Sequence, residues 1–205
     1  MEYIKSINDL NALYGKPGEA SIIKVVDKIT PGYRKWINQS KFCIISTVGP
    51  EGTDASPRGD EKAVALEIDE QTLAIPDWRG NNRMDSLRNI IRDERISLMF
   101  FVNGSNNVIR LNGKAKITTD EALSAKFERR TSTSSIRPRS IIIIKVEEIY
   151  SQCARALMRS KIWKEDPNLA NLPTIGDLLK DATEGEFDGT TYDKKWSARA
   201  AKTMW

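Results

Sequence analysis

From Phe42 onward, short β-branched apolar runs alternate with turns rich in glycine, asparagine and proline, the period-two signature of strands. Residues 42–48 form the first run, closed by a hairpin-type Gly49-Pro50-Glu51-Gly52 connection, and residues 53–58 follow. Residues 63–68 and 72–75 flank an Asp69-Glu70-Gln71 turn. Residues 96–102, 108–117 and 140–146 complete the set, and Gly113 inside one of them suggests a bulge or a barrel corner. One helical period interrupts the strands: residues 82–92 place Met84, Leu87 and Ile90/Ile91 on one face. A second helix is predicted over 120–130. About six short strands joined by tight turns, with one inserted helix, predict a small antiparallel barrel, mainly β within an α+β chain.

The flanks follow the 3.6-residue period. A helix is expected from Ser6 to Gly15 and another over 21–28. A third starts at Pro31, a favoured first-turn residue, and runs to Gln39 with Tyr33, Trp36 and Ile37 on one side. Together they predict a lid or packing layer. After the last strand, residues 148–163 are compatible with one helix that turns Ile149, Cys153, Ala156 and Leu157 inward. Pro167, Pro173, Gly176, Gly185 and Gly189 then punctuate two short helical pieces ending at Met204-Trp205. No repeat or linker divides the chain. The expectation is one domain over 1–205: a helical segment (1–40), a barrel (41–148) and a helical extension (149–205).

Composition narrows the chemistry more than the fold. The chain has 205 residues, 40% of them hydrophobic, enough for one sizeable core. No apolar run approaches the roughly 18 residues of a membrane helix, and Met1-Glu2-Tyr3-Ile4-Lys5 lacks the order of a signal peptide. Cys43 and Cys153 make neither a disulfide framework nor a metal spacing, so a cytoplasmic protein without membrane or metal is expected. The net charge of +4 comes from 32 basic and 28 acidic residues that are interleaved, which suits a phosphorylated small ligand as well as nucleic acid. The arginines from Arg129 to Arg139 lack interleaved aromatics and read as a solvated loop, so no nucleic-acid partner is expected. Histidine is absent altogether, which excludes Ser-His-Asp and Cys-His catalysis and histidine-ligated metals. An enzyme of this composition leans on a cofactor.

The candidate site is the stretch from Pro76 to Arg92. A strand ends at Pro76, a glycine turn follows, and Asn82 is placed to cap a helix with Asp85 in capping-box position. Free N–H groups of the turn, with Arg79 and Arg83, make an anion seat, and an ordinary strand-to-helix connection is the plain alternative. Trp78 beside it either covers a ligand or anchors the surface. Arg58-Gly59-Asp60 spells an adhesion tripeptide by coincidence, and Asp60 is expected to pair with an arginine. Trp36, Trp196 and Trp205 are expected in packing or dimer contacts.

Several segments in order carry a family resemblance: Ser56-Pro57-Arg58-Gly59-Asp60, Ile75-Pro76-Asp77, Gly80 through Ile90, Phe100-Phe101-Val102 and Ile109-Arg110-Leu111-Asn112-Gly113-Lys114-Ala115. With Cys153-Ala154-Arg155-Ala156 and Arg159-Ser160-Lys161-Ile162-Trp163, the chain resembles the pyridoxamine 5′-phosphate oxidase-related, FMN-binding split-barrel flavoproteins. The resemblance implies a six-stranded split barrel that binds FMN at a homodimer interface and acts as an oxidoreductase on a small organic substrate. Arg83 and then Arg58 are implied for the phosphate, with Gly59, Asn81 and Asn82 completing the cradle. Main-chain atoms of Ile75, Pro76 and Asp77 are implied along the isoalloxazine edge, Arg110 or Lys62 near its N1/O2 side, and Arg159 and Trp163 from the partner subunit. The oxidase proper holds its pyridoxine phosphate with arginine and histidine side chains near the C-terminus. A chain without histidine is expected to act on something else. Two other readings stay open: a flavin-binding sensor or carrier without turnover, and the same barrel holding haem or a deazaflavin.

Overall fold

The structure, a computed structural model, describes residues 1–130, 134–164 and 172–204. α1 (Ile7–Tyr14) begins where Ser6 accepts a hydrogen bond from the Asp9 N–H (3.1 Å) and stops at Gly15, whose φ is 70°. It buries none of its residues. α2 (Glu19–Ile23) ends well short of the predicted Lys28. By Val26 the chain is extended and exchanges two backbone hydrogen bonds with Ile149, of 3.1 and 2.7 Å. α3 (Pro31–Ile37) starts at Pro31 as expected, with Thr30 as its cap. Ile37 is buried, and Tyr33 and Trp36 pack against the core.

β1 (Phe42–Gly49) turns through Pro50 and Glu51 into β2 (Gly52–Gly59). β3 (Leu66–Asp69) pairs with β4 (Thr72–Asp77). Residues 63–65, predicted as the start of β3, lie outside it because Val64 and Ala65 are drawn into the core, the Val64 N–H donating to the Ser40 carbonyl at 2.8 Å. α4 (Asp85–Arg92) precedes β5 (Arg95–Phe101) and β6 (Val108–Thr118). α5 (Glu121–Lys126) is shorter than predicted, because Arg129 and Arg130 leave the helix for β7 (Arg129–Arg130), which pairs with β8 (Ser135–Ile136).

β9 (Ser140–Gln152) runs far past its predicted end and through the start of the predicted 148–163 helix. Cross-strand pairing decides this. Ile149 is fully buried opposite Leu111, and Glu148 lies opposite Asn112, whose side-chain amide donates to its carboxylate. The helix shrinks to α6 (Arg155–Ser160), and Cys153, expected inward, is exposed. The tail forms α7 (Ile175–Ala182) and the long α8 (Gly189–Thr203), which meet where Gly176 and Gly189 bring their backbones too close for any side chain. Trp196 is half exposed on α8, while Pro167 and Trp205 lie outside the described residues.

Seven strands, one on each of the seven predicted runs where a barrel of about six was expected, make a single antiparallel sheet in the order β2-β1-β5-β6-β9-β4-β3. Four strands separate β2 from β4 in this order, yet Arg58 of β2 forms an ion pair with Asp77 of β4. The sheet therefore curls until these strands face one another around a core that includes Cys43, Ile45, Leu73, Ile75, Leu98, Phe100, Leu111, Ile142 and Ile144. No ladder joins β2 to β4, so the barrel stays open along a seam. α4 lies over β1 and β2, where the Asn89 amide donates to the Thr47 hydroxyl (3.2 Å) and Ser86 to Asp54. Its buried face is Ser86, Asn89 and Ile90, with Leu87 partly buried. Met84 and Ile91, predicted inward, are exposed, because the helix starts only at Asp85 and Ile91 falls about 100° past Ile90.

Gly113 sits opposite a β-bulge in β9: Asn112 pairs with Glu148 and Gly113 with Val146, skipping Glu147. A Cβ at this position would collide with the Lys145 carbonyl oxygen. Gly113→Ala is expected to lower stability by about 2 kcal/mol, an overpacking cost read as a lower urea midpoint at unchanged m-value.

Candidate functional site

The seam is where the chemistry gathers. Pleat alternation turns Arg58 inward at the end of β2 and Asp77 toward it at the end of β4, with only 19% and 16% of their side chains exposed. The Arg58 Nε is buried and makes no hydrogen bond. Cys43, the cross-strand neighbour of Arg58, is fully buried, and burial pushes its thiol up to about 12 although the Arg58 charge pulls the other way. At neutral pH it is a protonated core thiol, not a nucleophile. A second bridge crosses the seam nearby. Trp78 Nε1 donates to Asp60 (3.1 Å), Arg129 pairs with both Asp60 and Glu61 (3.0 Å to the latter), and its guanidinium lies 5.0 Å from the Trp78 ring. Asp60 thus has the arginine partner expected of it, and Trp78 both joins this bridge and lines the cleft described next.

Above these bridges lies an open cleft of about 1190 Å3, lined by residues 54–61 along β2, by residues 76–87 and by Arg139-Ser140 at the start of β9, with Met204 at its margin. Of the residues expected to hold a cofactor, Arg58, Gly59, Pro76, Asp77, Asn81, Asn82 and Arg83 line it. Ile75 is fully buried and outside the lining, although β3 pairing ends at Ala74 and leaves the strand beyond it without a β3 partner. Lys62, Arg110, Arg159 and Trp163 are not in its lining. Lys62 is exposed beyond β2, and Arg159 is exposed on α6. Arg110 lies over the Tyr150 ring at 5.3 Å, its Nε buried without a hydrogen bond. Trp163 Nε1 donates to the Ser105 carbonyl in the β5–β6 turn at 2.7 Å. Within one chain these four do not join the cleft.

The turn into α4 departs from the expected capping box. Asn81, not Asn82, bonds the turn, its side-chain oxygen accepting from the Arg83 N–H (3.0 Å). Asn82 has a φ of 62°, a left-handed conformation that an N-cap, which needs extended backbone, does not adopt. Asp85 accepts from Arg83 Nε (2.6 Å) and does not reach back along the chain. The cap position therefore falls to Met84, which offers no side-chain acceptor. The Arg83 N–H, expected in the anion cradle, is used inside the turn. Ser86 and Leu87, which belong to the uncapped first turn, line the cleft.

Charge pairing ranks the cleft arginines. Arg58 is held by Asp77 and Arg83 by Asp85, whereas neither Arg79 nor Arg139 is in an ion pair among the described residues. Arg139 donates through Nη1 to the Asn82 side-chain oxygen at 2.7 Å. The sequence placed it in a solvated loop, and nothing local signals that β9 delivers it to a turn more than fifty residues earlier. The same loop's Arg130 and Arg137 pair with Glu128, and Arg129 is mostly buried in the seam; residues 131–133 lie outside the described residues. Among the described residues no cluster of metal-ligating side chains occurs, and no helix is long and apolar enough to cross a membrane.

Fold and site together define a class: a curled antiparallel sheet whose open seam carries an arginine-lined cleft beside an uncapped helix start. The family model for pyridoxamine 5′-phosphate oxidase matches residues 29–153, and the chain belongs to that family. The match takes in every cleft residue except Met204. No curated protein matches the chain. Among solved structures, HupZ of Group A Streptococcus is 21% identical over 60% of this chain and 93% of its own, with a TM-score of 0.47. General stress protein 26 of Bacillus anthracis is 17% identical over 58% and 88%, with a TM-score of 0.43. An F420 reductase is 16% identical over 60% and 98%, also at 0.43.

Removing one partner of the seam ion pair strands the other charge in a mostly dry site. Asp77→Asn is expected to lower unfolding free energy by about 2 kcal/mol, less than a fully buried pair because water reaches both ends. The double variant Arg58→Met/Asp77→Leu is expected to recover most of that loss in chemical denaturation.

Proposed function

We propose that the cleft binds FMN and that the protein is a flavin-dependent oxidoreductase acting on a small organic molecule. The observation that carries this reading is the uncapped start of α4 opening into a cleft that also presents Arg58, Arg79, Arg83 and Arg139. A phosphate monoester bears nearly two negative charges at neutral pH, and helix N–H groups with guanidinium forks are its natural partners. The cleft is roomy enough to admit a ligand of flavin size. Beyond the end of the β3 pairing, Pro76 and Asp77 lie along the cleft, where the edge of a flavin ring would rest, and the orphaned Arg58 Nε supplies a donor. The residues present fit the group.

Bound FMN would supply hydride or electron transfer. The chain's own residues bind and orient: Arg83 and the α4 start hold the anionic end, and the β4 edge sets the ring. No side chain in the cleft stands out as a proton donor or acceptor. The Cys43 thiol is protonated in the core, and histidine is absent. Oxidation of pyridoxamine 5′-phosphate itself is not part of the proposal, since the substrate-holding histidine that the family resemblance implies has no counterpart here.

The remaining expected residues, Lys62, Arg110, Arg159 and Trp163, reach a flavin only if a second copy of the chain brings them. A homodimer sharing the cofactor is therefore part of the proposal.

Arg83 is 81% exposed in its side chain and bonded only locally to Asp85, so its removal leaves the fold intact. Arg83→Ala is expected to raise the FMN dissociation constant about tenfold or more, roughly 1.5 kcal/mol for one charged hydrogen-bonding partner, measured by quenching of flavin fluorescence. An unchanged constant would remove Arg83 from the site.

A further inference from the structure

We propose that Arg139 is the principal phosphate-anchoring side chain of the cleft and that Asn82 positions it; this rests on the FMN reading above. The four cleft arginines are not equivalent. Arg58 and Arg83 already have their charge offset by Asp77 and Asp85, so an arriving phosphate meets a neutralised pair in each case. Arg79 has no carboxylate, but it is exposed next to Gly80 and makes no side-chain hydrogen bond among the described residues, so ordering it costs conformational entropy. Arg139 is exposed too, but it alone among the four combines an uncompensated charge with a hydrogen bond that orients its guanidinium.

Three features fix it. Pro138 is buried immediately before it, which stiffens the approach into β9. Its own N–H donates to the Asp77 carbonyl at 3.2 Å. Its Nη1 donates to the Asn82 side-chain oxygen at 2.7 Å, which uses one of five donors and leaves the rest of the fork available. Arg139 thereby holds both ends of the turn from Asp77 to Asn82 from across the β4–β9 ladder. The left-handed backbone of Asn82 follows from the same arrangement. Asparagine tolerates that conformation far better than most residues, and from it the amide oxygen faces Arg139. The turn and the guanidinium are preorganised together before any anion arrives.

The test compares FMN with riboflavin, which differ only in the phosphate, by fluorescence titration of the full-length protein. Arg139→Ala is expected to raise the FMN dissociation constant about ten- to a hundredfold while leaving that of riboflavin unchanged. Arg139→Lys should fall between, since it keeps the charge without the fork. Asn82→Gly, which removes the acceptor without straining the positive φ, should also weaken FMN selectively, by less than Arg139→Ala. Equal weakening of both ligands would mean that Arg139 serves only the shape of the cleft, and FMN binding within twofold of wild type would exclude it as an anchor. Either result overturns the proposal while leaving FMN binding intact. A wild-type protein that binds neither flavin would overturn the FMN reading and this assignment with it.

Discussion

The ion pair between Arg58 and Asp77 joins strands that the sheet order sets four strands apart. A largely buried pair adds little net stability over apolar packing, because desolvation cancels most of its attraction. What it supplies is geometry. β2 and β4 are held face to face without the hydrogen-bonded ladder that would close the barrel, and the Trp78–Asp60–Arg129 cluster does the same a short distance away. A closed ladder would have consumed the main chain of Ile75 to Asp77 and sealed the cleft. The open seam leaves the cleft accessible.

Everything on the cleft wall follows from how the chain leaves that seam. β4 ends at Asp77, and the Asn81 side chain and the left-handed Asn82 bend the turn. α4 then begins without a cap because its natural capping residues are engaged elsewhere. A helix that fails to satisfy its own first-turn N–H groups is costly in isolation and suited to receiving an anion. The arginines around it differ in how free their charge is, and that difference follows from the carboxylates placed beside them. With a protonated core cysteine and no histidine, the role proposed for the polypeptide is to hold and orient.

Much of this was legible in the chain. Period-two runs located the sheet, Pro31 marked the start of α3, and Gly113 marked the bulge. The residues flanking Pro76 and Asn82 identified the stretch that lines the cleft. The errors come from competing partners, distant ones in most cases. Residues 148–152 have helical periodicity, but Leu111 and Asn112 across the ladder hold Ile149 and Glu148 in β9. Asp85 sits in capping-box spacing, yet Arg83 takes its carboxylate. Arg139 reads as one more cation in a loop until β9 is paired with β4. Local patterns do not encode which strand a residue will face. Arg110, Arg159 and Trp163, for the same reason, cannot be placed around a ligand from one chain.

The central claim is that the seam cleft holds a flavin phosphate. The most direct measurement is the visible absorption spectrum of the purified protein, followed by mass identification of the small molecule released on denaturation. The account predicts a yellow protein with flavin bands that releases FMN, or a colourless one that acquires those bands and keeps them after FMN is added and the excess removed. A protein that stays colourless after that treatment, shows a Soret band, or releases a deazaflavin would contradict it.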